Sequence, residues 1–201
     1  SAADYPTCPT PWTIVDLGCG SGLCGKLFRK FVVAAESGGN GKIIGVDLSP
    51  KMVEIARQSG HYDELLVEDV HETLARTDPR TLELILSADT FIYVGALERC
   101  FALAAEKLRH RGLFAFSVES GSEQHERQEQ RSSSSSSTDS STSRGFKLQR
   151  SGRYAHEAGY IATLATRSGF VVREMRAITV RKEQAAPIPG FIYVLQLKTD
   201  E

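Results

Sequence analysis

Three glycines at alternate positions, Gly18, Gly20 and Gly22, follow the apolar run Ile14-Val15-Asp16-Leu17 and lead into a stretch of helical texture, Leu23–Glu36. Glycine lets the backbone take positive φ and approach a ligand closely, and the helix that follows offers N–H groups with no partner in its own first turn. The spacing discriminates among ligands. A dinucleotide fingerprint starting at Gly18 needs glycine at position 23, which is Leu23, and the Gly-Lys-Ser/Thr of a P-loop is absent. Asp16 ends the first strand, where its charge opposes a pyrophosphate and favours a zwitterionic, cationic ligand.

Two more acids sit at predicted strand tips. Asp47 closes Ile43-Ile44-Gly45-Val46-Asp47, 25 positions beyond Gly22, where a two-oxygen acceptor suits the paired hydroxyls of a ribose. Asp69 closes Val67-Glu68-Asp69-Val70 and is placed to accept from the exocyclic amine of an adenine.

The elements that must hold these residues alternate. Strands are predicted at Trp12–Leu17, Lys42–Asp47, Glu64–Glu68, Leu82–Ser87 and Leu113–Val118. Helices are predicted at Leu23–Glu36, Pro50–Gln58, near His71–Ala75 and at Ala96–Arg109. Nearly continuous apolar strands separated by helices describe an α/β fold with a parallel sheet covered on both faces. Ser49 and Pro50 read as N-cap and first helical residue. Leu97, Phe101, Ala104, Ala105 and Leu108 fall on one helix face. Further on, Tyr154–Ser168 reads as a helix closed by Gly169, and Phe170–Val180 and Gly190–Leu197 as two strands pairing antiparallel across a Pro187-Ile188-Pro189 loop.

VDLGCGSG, GVDLSPKMVEIA and VEDV together resemble the class I, Rossmann-like S-adenosylmethionine-dependent methyltransferases, clearly over residues 12–119 and in outline beyond. The resemblance implies a three-layer α/β/α sandwich around a mostly parallel seven-stranded sheet with an antiparallel last strand. It implies S-adenosylmethionine as cofactor and S-adenosylhomocysteine as product. Asp16, Gly18, Cys19, Gly20 and Gly22 would line the cofactor's amino-acid end, Asp47 its ribose, Leu48 its adenine, and Asp69 with Val70 the adenine edge. Asp89, at the exit of the fourth strand, is a candidate for the methionine amine or for the substrate. Residues 1–11 read as an N-terminal extension and 12–201 as one methyltransferase domain.

Several partner classes are disfavoured. With 24 Lys+Arg against 25 Asp+Glu, the net charge of -1 supplies no general field for nucleic acid. Ser87-Ala88-Asp89-Thr90-Phe91 also lacks the Asn/Asp-Pro-Pro-aromatic clamp of nucleic-acid amino-methylating relatives. The pattern is closer to the small-molecule branch, with transfer to an oxygen, nitrogen or carbon. No membrane span is expected. The four cysteines, Cys8, Cys19, Cys24 and Cys100, form neither a disulfide framework nor a zinc motif, and no metal is expected. A reducing, cytoplasmic setting follows.

The stretch Phe146–His156, with Phe114-Ala115-Phe116-Ser117-Val118-Glu119 before it, resembles the methyltransferases found attached to tetratricopeptide repeats, which implies an upstream repeat domain in a longer protein. Arg153, Tyr154 and His156 put a cation, a phenol and an imidazole together, with Arg153 read as a clamp for a substrate carboxylate and His156 as a proton acceptor. Between about 120 and 150 the chain is Ser-rich and almost without apolar side chains, which predicts a flexible insertion. The competing readings are a nicotinamide oxidoreductase, opposed by Leu23 and Asp16; an aminopropyltransferase, which needs more carboxylates than Asp89; and a module that binds cofactor without turnover.

Overall fold

The structure, a computed structural model, describes residues 11–33, 41–121, 144–183 and 186–199. Its elements run β1 (Thr13–Leu17), α1 (Leu23–Val33), β2 (Lys42–Asp47), α2 (Pro50–Ser59), β3 (Glu64–Val67), α3 (Val70–Arg76), β4 (Leu82–Ser87), a 3-10 turn (Phe91–Tyr93), α4 (Glu98–Lys107) and β5 (Leu108–Ser120). Then come β6 (Phe146–Leu148), β7 (Tyr154–His156), α5 (Ala158–Arg167), β8 (Phe170–Glu183) and β9 (Ala186–Leu197).

β3, β2, β1, β4 and β5 are parallel neighbours in that order, β9 runs antiparallel on β5, and β8 pairs with β9. These seven strands make the expected sheet, with β9 as its antiparallel member. Two short strands extend it: β7 joins the end of β5 and β6 pairs with β7, giving nine. Every residue of β4 is buried, as a strand covered on both faces requires. On one face Ile14, Ile43, Leu84 and Leu86 pack with Val32 of α1. On the other, Val15, Leu17 and Phe114 pack with Leu74 of α3, Phe101 of α4 and Ile161 of α5. The three layers are thus those the motifs imply. Of the predicted stripe, Phe101 and Ala104 of α4 are fully buried, as are Leu97 just before the helix and Leu108, the first residue of β5.

Besides shifts at element ends, such as β5 starting at Leu108 rather than Leu113, three assignments differ from the sequence reading. Tyr154–His156 is a strand, and the helix begins only at Ala158. The cause is non-local: Phe146–Leu148 supplies a partner strand that local periodicity cannot reveal. Phe146–Leu148 also lies within the stretch read as a flexible insertion, whose residues 122–143 fall outside the described residues. Finally, Pro187 and Pro189 lie within β9, opposite Lys182 and Thr179, rather than in a loop. Two apart, they place their missing N–H groups on one side of the strand, and the β5–β9 register ends at Gly190.

The parallel register aligns the functional strand ends. Leu17 lies beside Val46, Asp16 beside both Gly45 and Leu86, and Asp47 beside Val67. The segments leaving β3, β2, β1 and β4 therefore emerge along one edge of the sheet, where open α/β sheets bind ligands.

Candidate functional site

The glycine loop is held from below by β2. The N–H groups of Gly18 and Cys19 both donate to Val46 O, at 2.7 and 2.8 Å. Gly18 and Gly20 take φ of 73° and 52°, a region that penalises any Cβ. At Gly18 a Cβ would also overlap the side chain of Thr90, whose hydroxyl donates to Leu17 O at 3.0 Å. The loop from β1 and the exit of β4 are thus locked together at the switch point of the sheet.

Asp47 closes the loop from the side. Its Oδ2 accepts from Gly20 N at 2.9 Å and its Oδ1 from Ser49 N at 2.8 Å. Each carboxylate oxygen keeps a further acceptor position, so the geometry presents both oxygens beside the loop. Ser49 and Pro50 start α2 as expected: the Ser49 hydroxyl accepts from Met52 N and Pro50 takes the first helical position. Leu48, between Asp47 and this cap, is 69% exposed, an apolar side chain available to cover a flat ring.

Asp16 lies under the loop, fully buried. Tyr62 donates its phenol to Asp16 Oδ2 at 2.7 Å, while Asp16 Oδ1 is buried without a hydrogen-bond partner. Burial pushes this carboxyl up to about 6, the Tyr62 hydrogen bond pulls it down, and the Asp47 charge adds to the rise. An orphaned buried carboxylate oxygen next to a positive-φ glycine loop matches a ligand that brings an ammonium or sulfonium charge. Cys19, buried, and Cys24, partly buried, lie near it, and burial first, then the Asp16 charge, pushes both thiols up to about 12, so they are inert.

Asp69 is the N-cap of α3, its Oδ1 accepting from His71 N at 2.8 Å and lying 3.1 Å from His71 Nδ1. Val70 is buried behind it. Asp69 therefore stands on the expected edge, with one oxygen committed to the helix.

The three residues expected to act on substrate have other partners. His156 is 1% exposed, and its Nε2–H points at Val94 O and Gly95 O, each 3.0 Å away. Burial holds the imidazole below its ordinary pKa. Its ring stacks on Tyr160 and neighbours Phe146, while Phe146 meets Tyr154 edge-on at 5.9 Å. Tyr160 anchors the same segment by accepting from Leu97 N at 2.8 Å. His156 and Tyr154 thus belong to an aromatic clamp on the Val94-Gly95 loop, and the imidazole read as a proton acceptor lies buried with its Nε2–H committed to carbonyls. Arg153 lies 3.6 Å from Glu183 and its guanidinium bonds to the Tyr93 phenol, so the expected carboxylate clamp already has partners.

Sequence reading also missed a charged group at the ends of β4, β5 and β8. Glu119, 1% exposed, lies 2.5 Å from Arg181, which reaches Asp89 at 3.6 Å and Glu183 at 3.7 Å. Asp89 has φ 55°, and its N–H donates to Ser117 Oγ at 2.9 Å. Tyr62 was missed as well, although three nearby glycines, Gly22, Gly25 and Gly45, were a signal: a Cβ at any of them would crowd its ring. Among the described residues no cluster of His, Cys, Asp or Glu is placed to hold a metal ion, and no helix is long and apolar enough to cross a membrane.

Comparison with known proteins gives the same picture. The family model described as methyltransferase domain matches residues 12–165. The malonyl-[acyl-carrier protein] O-methyltransferase of Anoxybacillus flavithermus is 30% identical over 118 residues, 58% of this chain but only 42% of that protein's length. A SAM-dependent methyltransferase of Methanosarcina mazei superposes with a TM-score of 0.68 at 16% identity, over 94% of this chain and 93% of its own. The 1,6-didemethyltoxoflavin-N1-methyltransferase of Burkholderia thailandensis, solved with its substrate and S-adenosylhomocysteine, gives 0.63 at 16% identity, over 94% and 72%. At such identities these likenesses speak to the fold. With the matched family, the glycine loop and the order of the strands in agreement, the chain belongs to the methyltransferase-domain family and has the fold of the class I S-adenosylmethionine-dependent enzymes.

Proposed function

We propose that this domain moves the methyl group of S-adenosylmethionine to a nucleophile of a small organic molecule. The observation that carries the reading is the Asp47 carboxylate, fixed by Gly20 N and Ser49 N so that both oxygens border the glycine loop, with the orphaned Asp16 Oδ1 beneath it. These residues fit the cofactor: Asp47 for the ribose hydroxyls, Leu48 for the adenine face, Asp69 for the adenine edge, Asp16 and the Gly18–Gly22 backbone for the cationic methionine end.

When bound, the cofactor supplies an electrophilic methyl carbon. The chain's own work is then to align the acceptor with that carbon, to exclude water and to take up a proton, because in-line displacement needs little more than orientation. The β4 exit, locked to Gly18 through Thr90, carries the acceptor side. The clamp of Phe146, Tyr154, His156 and Tyr160 holds that exit in place, so His156, Tyr154 and Arg153 serve as positioning residues.

A small acceptor is supported by the near-zero net charge and by the absence of a Pro-Pro clamp after β4. The named relatives act at an oxygen and at a ring nitrogen, which keeps both atoms in view. The repeat domain implied by the resemblance at Phe146–His156 extends the same proposal to the longer protein. The test is formation of S-adenosylhomocysteine from S-adenosylmethionine in the presence of mixed small-molecule extracts, RNA and protein, each fraction assayed separately. Turnover confined to the small-molecule fraction supports the reading, and turnover on RNA or protein instead overturns it.

A further inference from the structure

We infer that Asp89 is the acceptor-facing base of this site, positioned by the ion-pair chain Glu119–Arg181–Asp89, and that the acceptor is an amine. The inference rests on the reading above and adds the acceptor class.

Position comes first. Asp89 leaves β4 one residue before Thr90, the residue that packs on Gly18, so its side chain belongs to the end of the site where the methyl group is handed over. Its backbone is in the left-handed region at φ 55°, unusual for a residue with a Cβ, and the N–H bond to Ser117 Oγ at 2.9 Å fixes it there.

The charges around it then decide what it meets. Arg181 on β8, Arg153 at the head of β7, Glu119 at the end of β5 and Glu183 on β8 surround it, with the Tyr93 phenol bound to Arg153. Three carboxylates face two guanidiniums. The carboxylates of Asp89 and Glu183 are the open members, with side chains 51% and 42% exposed, whereas Arg181 is 19% and Arg153 27% exposed. An arriving acceptor therefore meets acid first. A carboxylate would be repelled, while an ammonium or a neutral N–H donor finds an acceptor.

Arg181 plays a different part. None of its guanidinium nitrogens makes a well-aligned hydrogen bond, and its 3.6 Å separation from Asp89 exceeds hydrogen-bond length. It acts on Asp89 through its field and leaves the Asp89 oxygens available. Glu119, buried with neither oxygen hydrogen-bonded, is the fixed counter-charge that keeps Arg181 there. Burial raises the Asp89 carboxyl, as it does for a partly desolvated base, and the charges of Arg181 and then Arg153 act against that rise.

The step balances simply. The lone pair of the acceptor nitrogen forms the N–C bond, the C–S pair stays with sulfur, and the N–H proton passes to Asp89 and then to water. An acceptor that arrives as an ammonium first gives one proton to the same carboxylate, which releases it to water and is ionised again before the transfer.

The test uses the full chain saturated with S-adenosylhomocysteine and labelled with carboxyl-13C aspartate, the Asp89 resonance being assigned by its loss in D89N. Its titration midpoint is expected to rise by about one unit in R181Q and to return close to wild type in R181K. Because R181Q strands the Glu119 charge, the double variant E119Q/R181Q is measured as well, with the same upward shift expected. An unmoved midpoint in R181Q and E119Q/R181Q overturns the chain of ion pairs. Propylamine at millimolar concentration is expected to perturb the Asp89 resonance and propionate to leave it in place. The reverse order, or no response to propylamine, overturns the amine class. Failure of S-adenosylhomocysteine to bind at all would instead remove the methyltransferase reading, which keeps the two failures apart.

Discussion

The Tyr62 hydroxyl donates to Asp16 Oδ2 at 2.7 Å and at the same time accepts from Gly25 N at 3.0 Å, tying the end of β1 to the first turn of α1. A residue that precedes β3 thus reaches under the glycine loop and fixes the Asp16 carboxylate. The missing side chains of Gly22, Gly25 and Gly45 make room for its ring.

Tyr62→Phe is expected to keep the ring packing and remove the hydrogen bond that lowers the Asp16 pKa. Asp16 then ionises at higher pH, so S-adenosylhomocysteine binding measured against pH has its midpoint moved upward, with affinity near pH 6 down by roughly five- to tenfold. An unchanged pH profile would leave Tyr62 as filler.

Asp16 also makes the free protein pH-sensitive. Its folded pKa, about 6 against an ordinary 3.8, lies above the unfolded value, so the folded state holds the extra proton between those pH values. Stability therefore falls as pH rises through this window, by roughly 3 kcal/mol in all, and stays at the lower level above it. Urea unfolding of the ligand-free protein should show that decline in wild type and a markedly smaller one in Asp16→Asn. Binding runs the other way in wild type: affinity for a cationic ligand should rise through the window and level off above it.

Gly18→Ala places a methyl group against Thr90 at a backbone angle unfavourable to alanine. A loss of about 2 kcal/mol or more in stability is expected, with S-adenosylhomocysteine affinity down at least about tenfold. Thermal unfolding with and without S-adenosylhomocysteine reads both effects.

His156→Ala removes a buried ring and its N–H bond to the Val94-Gly95 carbonyls. The expected cost is about 2–4 kcal/mol, with hydrogen exchange accelerated in residues 91–97 and 146–156. If His156 were the chemical base, the variant would instead abolish turnover with stability and exchange unaltered.

The glycine-loop side of the candidate site was legible because its logic is local. Gly18 to Gly22, Asp47 with the Ser49-Pro50 cap, and Asp69 each sit at a strand end whose apolar run announces it. The group of Asp89, Glu119 and Arg181 was not, because it is assembled by pairing at long range. Arg181 meets Glu119 only after β9 has zipped between β5 and β8, and in sequence it is one more charge on a strand that also carries Arg173, Arg176 and Lys182. Tyr154–His156 looked helical because the apolar spacing of α5 continues back into it, and only Phe146–Leu148, across a Ser-rich stretch, turns it into a strand. That hairpin also buries His156 and turns its Nε2–H to the Val94 and Gly95 carbonyls, an environment its place in the sequence does not announce.

Calorimetric titration of S-adenosylhomocysteine into the wild-type chain and into Asp47→Asn tests the central claim most directly. The wild type should bind with measurable heat, and the variant, losing charge-assisted bonds to the ribose worth about 2–4 kcal/mol, should bind roughly 30- to 700-fold more weakly. No heat with the wild type, or equal affinity in the two proteins, would contradict it.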